Sequence, residues 1–311
     1  MKTIFDDISE MQKNIHPLNI NGLKGRVLKM PASKKSNKRE ILLIYGHHSS
    51  IERMYGIAEA FTPYGSVTMP DLPGFGGMDS FYRIGMKPTL DNLADYLATV
   101  VKLKYRRKKV TIVGMSLGFV IATRMLQRYP ELTSRVELMI SLVGFSHKGD
   151  YTFSKKRMFT YKFLSGIFAR RIPAWLFFNL ALHPTVLRTF YARTHNAKNK
   201  FKKLDAKTKK QMIDFEVILW RNNDVRTYFT TSRAMLTLDN CKQQVDLPVH
   251  HVSVKDDQYF DNAVVEQHMQ IIFNDFYEYP VVLPSHAPSI IASKAEAEPF
   301  VPEKLKEVLS S

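Results

Sequence analysis

Cysteine is nearly absent: Cys241 is the single one among 311 residues. One thiol excludes any intrachain disulfide, suits a reducing compartment, and reads as a buried or bystander residue. Long apolar runs are missing too. The longest uncharged stretch, IPAWLFFNLALHPTVL (172–187), falls short of the about 20 residues a membrane span needs and is broken by Pro173 and Pro184. The opening MKTIFDDISEM places acids where a secretion signal would be apolar, so the expected location is cytoplasmic.

Acids are scarce in one region. Between Tyr151 and Met235 the chain has 18 Lys and Arg against four acids (Asp205, Asp214, Glu216, Asp224), or +14 of a total formal charge of +16. A second basic cluster, KLKYRRKK, spans 102–109. Such a field draws anionic surfaces, and no nucleic-acid-binding motif accompanies it. Nucleic acid is therefore disfavoured, and the charge reads either as a solvated basic face or as a site of peripheral contact with an anionic membrane. With 45% hydrophobic and 24% charged residues, the composition is otherwise that of a globular protein.

What is present is an alternation of short β-branched runs with helix-period segments, the pattern of βαβ units. Strands are expected at Glu40–Tyr45, Ser66–Met69, Lys109–Val113, Val136–Val143, Pro248–Val254 and Tyr279–Leu283. Helices are expected at Ile51–Phe61, from Leu90 after Pro88 and Thr89, at Leu117–Tyr129, and near Ala263–Asn274 and Pro302–Leu309. Between about 150 and 235 there is no strand-like run, only helical segments rich in aromatic and basic residues. The fold class is therefore α/β, a mostly parallel central sheet flanked by helices and interrupted by a helical insertion. Residues 1–150 make the first part of the core, 151–235 the insertion and 236–311 the second part.

In VTIVGMSLGFVIATRML (110–126), Ser116 stands between Gly114 and Gly118 where a strand hands over to a helix. A serine exposed on such a turn suits a nucleophile, with glycines where side chains would clash. A hydroxyl is a weak nucleophile at neutral pH and needs a base, and the base needs an orienting acid. His286, in LPSHAPS beyond the last strand, suits the base. The segment KDDQYFD offers Asp256, Asp257 and Asp261 at the end of the strand PVHHVSV, and residue chemistry does not choose among them. Adjacent histidines such as His250 and His251 point to opposite faces of a strand, so neither they nor the His47–His48 pair makes a metal site.

Taken together, IYGHHSS, PDLPGFGG, VGMSLG, LPVHHVSVKDDQYF and SHAPS resemble the motifs of the α/β-hydrolase superfamily, in its serine hydrolase branch with a helical cap. The resemblance covers nearly the whole chain and follows the order Ser, Asp, His. It implies Ser116 as nucleophile, His286 as base and Asp257 as acid, with Asp256 as the alternative because Val254 replaces a glycine usual in the family. It implies an oxyanion hole from the backbone N–H groups of Leu117 and His47, with His48 the alternative, since Tyr45-Gly46 stands where the family has His-Gly. No metal or organic cofactor is implied. A serine in this position sets the chain apart from relatives that use aspartate there.

The chemistry this implies is cleavage of a carboxylic ester through an acyl-enzyme, by an esterase, lipase or lysophospholipase-like enzyme. Acyl transfer, thioester or carbon–carbon bond cleavage on the same residues, and a non-catalytic binding scaffold, are the alternatives. The partner is then a small-molecule acyl substrate of lipid-like character. The insertion's Phe153, Phe159, Phe163, Phe168, Trp175, Phe177, Phe178 and Phe190 are expected to form the cap's own core, with part of that surface lining an acyl pocket.

Overall fold

The computed structural model describes residues 11–34, 37–193, 206–283, 286–287 and 294–311. Its centre is one eight-stranded sheet in the order β1-β2-β4-β3-β5-β6-β7-β8. The strands are β1 (Ile15–Ile20), β2 (Leu23–Met30), β3 (Glu40–Ile44), β4 (Ser66–Pro70), β5 (Val110–Met115), β6 (Val136–Leu142), β7 (Val249–Val254) and β8 (Phe276–Val281). From β4 across to β8 every pairing is parallel, while β2 runs antiparallel to both β1 and β4. All six residues of β5 and of β7 are buried, as strands covered on both faces must be.

Helices α1 (Ile51–Phe61), α2 (Leu90–Lys104), α3 (Leu117–Arg128), α9 (Asn262–Ile272) and α10 (Glu303–Ser310) belong to this α/β body. Helix α2 begins at Thr89, whose hydroxyl accepts the Asn92 N–H at 3.1 Å. Its Leu93, Leu97, Val100 and Val101 form the stripe packed into the core.

Between β6 and β7 the described residues carry only helices of any length: α4 (Lys155–Phe168), α5 (Arg171–Leu176) running into a π-helical turn (Phe177–Ala181), α6 (Pro184–Arg193), α7 (Ala206–Asn222) and α8 (Val225–Met235). None of the described helices is long and apolar enough to cross a membrane. Helix α8 is pinned onto the body by polar contacts. The Asp224 N–H donates to the Gly74 carbonyl at 2.8 Å, the Gly76 N–H to Asn223 Oδ1 at 2.9 Å, and Ser80 and Tyr82 meet Thr227 and Thr230 at 2.8 and 2.9 Å.

Two parts of the sheet differ from the sequence expectation. The hairpin β1–β2 turns at Asn21-Gly22, both in the left-handed region (φ 51° and 81°), the two-residue turn that suits sheet twist. Strand β8 lies three residues earlier than the apolar run YPVVL suggests. It is an edge strand in which Tyr277 and Glu278, on opposite faces, are both exposed, so its burial pattern is weak.

Candidate active site

Strand β5 ends at Met115, and Ser116 turns the chain into α3 with φ 48° and ψ −114°. A non-glycine residue held there stores of the order of 1–3 kcal/mol of strain. The turn depends on its glycines. A Cβ on Gly114 would lie 2.7 Å from the Phe119 backbone nitrogen, and one on Gly118 would collide with the Ile44 carbonyl and lie 2.7 Å from that of Tyr45. Their absence lets α3 fold back against β3 and β5. Ser116 occupies the N-cap position, yet its side chain makes no capping bond. Its Oγ instead lies 3.3 Å from His286 Nε2.

His286 is 9% exposed, held edge-on by Tyr259 and beside Phe260, with ring centroids at 5.2 and 5.3 Å. Its Nδ1 meets Asp257 Oδ2 at 2.5 Å. Asp257 Oδ1 accepts the Tyr259 N–H at 2.8 Å, so the carboxylate is fixed at both oxygens. Asp256 is exposed and adopts φ 59°, which makes it the bend that delivers Asp257. Asp261 is spent on capping α9, its Oδ1 accepting the N–H groups of Ala263 and Val264. Of the three aspartates left open by sequence chemistry, Asp257 is the one whose carboxylate reaches His286.

The turn after β3 lies against this serine, since a Cβ on Gly46 would sit 3.3 Å from Ser116 Cβ. Neither the His47 nor the Leu117 N–H donates a hydrogen bond to any group among the described residues. The His47 imidazole points the other way, into α8. Its Nε2–H donates to the Tyr228 carbonyl at 3.1 Å, with Thr231 Oγ1 at 3.0 Å, and burial pushes its pKa down to about 3. His48, at φ 53°, lies over Trp220 at 4.0 Å and accepts from Asn223 Nδ2 at 3.1 Å. Both histidines thus clasp the inserted helices.

His250 and His251 do face opposite ways, the first bonded to Tyr279 Oη at 2.8 Å and the second to Ser141 Oγ at 2.9 Å. A cluster missed at the sequence level is His147, Asp150 and His268, whose donor atoms lie within 4.8 Å of one another. The buried Asp150 carboxylate is already committed. One oxygen bonds His268 Nδ1 at 2.5 Å, and the other accepts the N–H groups of Ser146 and His147 at 2.7 and 2.9 Å. The cluster is therefore a fastening between α9 and the loop after β6 rather than an open ligand set.

The inserted aromatics divide into two groups. Phe168, Phe177 and Phe229 form an inner cluster with centroids 4.9 to 5.2 Å apart, continuous through Tyr228 with His47. Phe159, Phe163, Trp175 and Phe190 are instead exposed, which corrects the expectation that all these aromatics serve the cap's core or an acyl pocket.

The model of the family described as serine aminopeptidase, S33, matches residues 35–275. The chain belongs to that family. It is thus a hydrolase of the α/β-hydrolase superfamily. The match stops short of His286. Among curated proteins no sequence matches. Solved structures of similar fold include an enol-lactonase from Burkholderia xenovorans LB400 (14% identity, 95% of this chain and 100% of that one, TM-score 0.63). A thermophilic esterase from Thermogutta terrifontis gives 14%, 96% and 98%, and 0.61. An epoxide hydrolase gives 15%, 95% and 96%, and 0.65. At such identities the likeness is one of fold.

Proposed function

We propose that the chain is a serine hydrolase that cleaves a carboxylic ester, with Ser116 as nucleophile, His286 as general base and Asp257 as its orienting acid. The observation that carries this reading is the continuous relay from Ser116 Oγ to His286 Nε2 at 3.3 Å and from His286 Nδ1 to Asp257 Oδ2 at 2.5 Å. His286 takes the Ser116 proton as Oγ attacks the ester carbonyl, and Asp257 holds the imidazole in the tautomer that leaves Nε2 free to do so. The His47 and Leu117 N–H groups receive the developing oxyanion, one such donor being worth about 3 kcal/mol of barrier. His286 then protonates the departing alcohol, and water deprotonated by the same imidazole releases the acid.

The family's description names peptides with a free amino end as a substrate class. Holding an ammonium group calls for a carboxylate, whereas the insertion sets four acids against eighteen Lys and Arg, and its buried Glu216 already faces His48 at 3.8 Å. A cap of this charge favours a neutral or anionic substrate, and the inner cluster of Phe168, Phe177 and Phe229 favours an apolar acyl chain.

The test has two arms. A fluorophosphonate probe should label wild type and not Ser116→Ala. A panel of esters, thioesters and aminoacyl amides should show kcat/KM rising from acetyl to medium-chain esters. Absence of labelling, or preference for aminoacyl amides, would replace this reading.

A further inference from the structure

Among the described residues eighteen large hydrophobic side chains are exposed, and eleven of them lie between Phe159 and Ile218. On α4, Phe159 (71% exposed) and Phe163 are one turn apart and stack in parallel, away from Ser165, the helix's buried residue. On α5 and the π turn, Ile172 (72%), Trp175 (64%), Leu176 and Leu180 (67%) are exposed while Ala174 is buried. Val186 and Phe190 repeat the pattern on α6. A soluble surface seldom gathers so much apolar area, and a tryptophan and phenylalanines pointing outward suit the boundary between lipid headgroups and acyl chains.

The charge around these residues is mostly of one sign, Asp214 of α7 pairing with Arg188 of α6 at 2.9 Å. Lys155, Lys156 and Arg157 are exposed at the start of α4, and Arg170 and Arg171 at the junction with α5. From Tyr151 to Leu204 there is no acid to offset them. Beside this face a groove of about 320 Å³ is lined by Lys148, Lys155 and Lys162 together with Tyr151, Phe153, Met158 and Phe159. Three ammonium groups beside apolar and aromatic side chains match a phosphate ester attached to an acyl chain. Arg157 stacks on Phe153 at 4.1 Å, which holds one more cation at the rim.

We infer that helices α4 to α6 form an interfacial face that docks the protein onto an anionic phospholipid bilayer, the exposed aromatics entering the headgroup layer and the lysine groove seating a lipid phosphate. The charge complementarity selects this occupant over a neutral one: apolar side chains rimmed by an excess of cations complement an anionic sheet of lipid. The inference extends the esterase reading by naming where a lipid-like substrate would be met, yet the docking itself needs no catalysis.

The experiment is co-sedimentation of the full chain with vesicles of phosphatidylcholine alone and with about a third phosphatidylglycerol, at low and high salt. Wild type and Ser116→Ala should bind the anionic vesicles equally, and binding should fall as salt rises. Phe159→Ser with Trp175→Ser, and separately Lys155→Glu with Lys162→Glu, should each weaken binding by about tenfold or more at unchanged melting temperature. The inference is overturned if wild type fails to sediment, if either double variant binds like wild type, or if sizing shows this face closed by a second copy that Trp175→Ser releases. A chain that sediments but hydrolyses no ester defeats the esterase reading alone, and one that hydrolyses esters without sedimenting defeats the docking alone.

Discussion

The Nε2–H of His47 donates to the carbonyl of Tyr228 at 3.1 Å, so the turn that follows β3 and helix α8 of the insertion are held by one imidazole. Because the backbone N–H of the same residue is the second oxyanion donor in the proposed mechanism, the position of α8 and the shape of the oxyanion hole are mechanically joined. The adjacent His48, on Trp220 and Asn223, doubles the clasp.

This junction gives a first prediction. His47→Ala removes one of the donors to the Tyr228 carbonyl, which keeps the Ser232 hydroxyl at 2.8 Å, and opens space beside Phe75 and Tyr228, which His47 touches at 5.5 and 4.4 Å between ring centroids. Stability should fall by about 1–3 kcal/mol, measured by denaturant unfolding, and kcat for an ester should fall more than KM rises. His47→Gln, which keeps a donor, should recover part of both. Unchanged kinetics in His47→Ala would separate the imidazole from the oxyanion turn.

The strained serine gives a second. At φ 48°, glycine is relaxed where serine is not. Ser116→Gly should therefore be inactive yet more stable than wild type by about 1 kcal/mol, a rise of a few degrees in melting temperature. Ser116→Ala should be equally inactive without the gain, because a Cβ remains. Equal melting temperatures for the two would show that the turn carries no strain.

A third concerns acid. Burial of His251, 2% exposed beneath the sheet's neighbours, lowers its pKa from 6.5 to about 3. Its folded-state pKa is thus below the unfolded value, and between pH 6.5 and 3 the unfolded chain binds the extra proton. Stability must then fall as pH drops through that window, by up to about 1.4 kcal/mol per pH unit for each such histidine. His47 behaves in the same way. Unfolding free energy followed from pH 7 to 5 should decline less steeply in His251→Asn than in wild type. Parallel slopes would mean that other groups dominate acid unfolding.

The parallel part of the sheet and the glycine-flanked serine were legible because each is a local pattern. Val110–Met115 is an unbroken buried run, and Gly114 and Gly118 mark where a side chain has no room. The hairpin at Asn21-Gly22 also had a local signal, though its strands alternate too weakly to stand out beside the buried ones. What was not legible is what depends on contacts between distant segments. Asp150 and His268 meet across 118 positions. Nor does a helical period tell an inner phenylalanine such as Phe168 from an outer one such as Phe159, since both lie on a helix whose two faces are apolar. Asp257 rather than Asp256 reaches His286 because the chain bends at φ 59°, a feature that residue types alone leave open.

That bend yields the last prediction. An amide at 257 can donate to His286 Nδ1, which would flip the imidazole to the tautomer whose Nε2 already carries a hydrogen and is useless as a base. Asp257→Asn should therefore lower kcat by about 10³–10⁴-fold with little change in KM. Asp256→Asn should stay within roughly twofold of wild type, since the Asp256 side chain is exposed and asparagine adopts the left-handed backbone as readily as aspartate. Asp256→Val should cost more activity than Asp256→Asn, because a β-branched residue resists that backbone and would swing the Asp257 carboxylate away from His286. Steady-state kinetics on one ester with the three variants settles the order, and a larger loss in Asp256→Asn than in Asp257→Asn would reassign the acid.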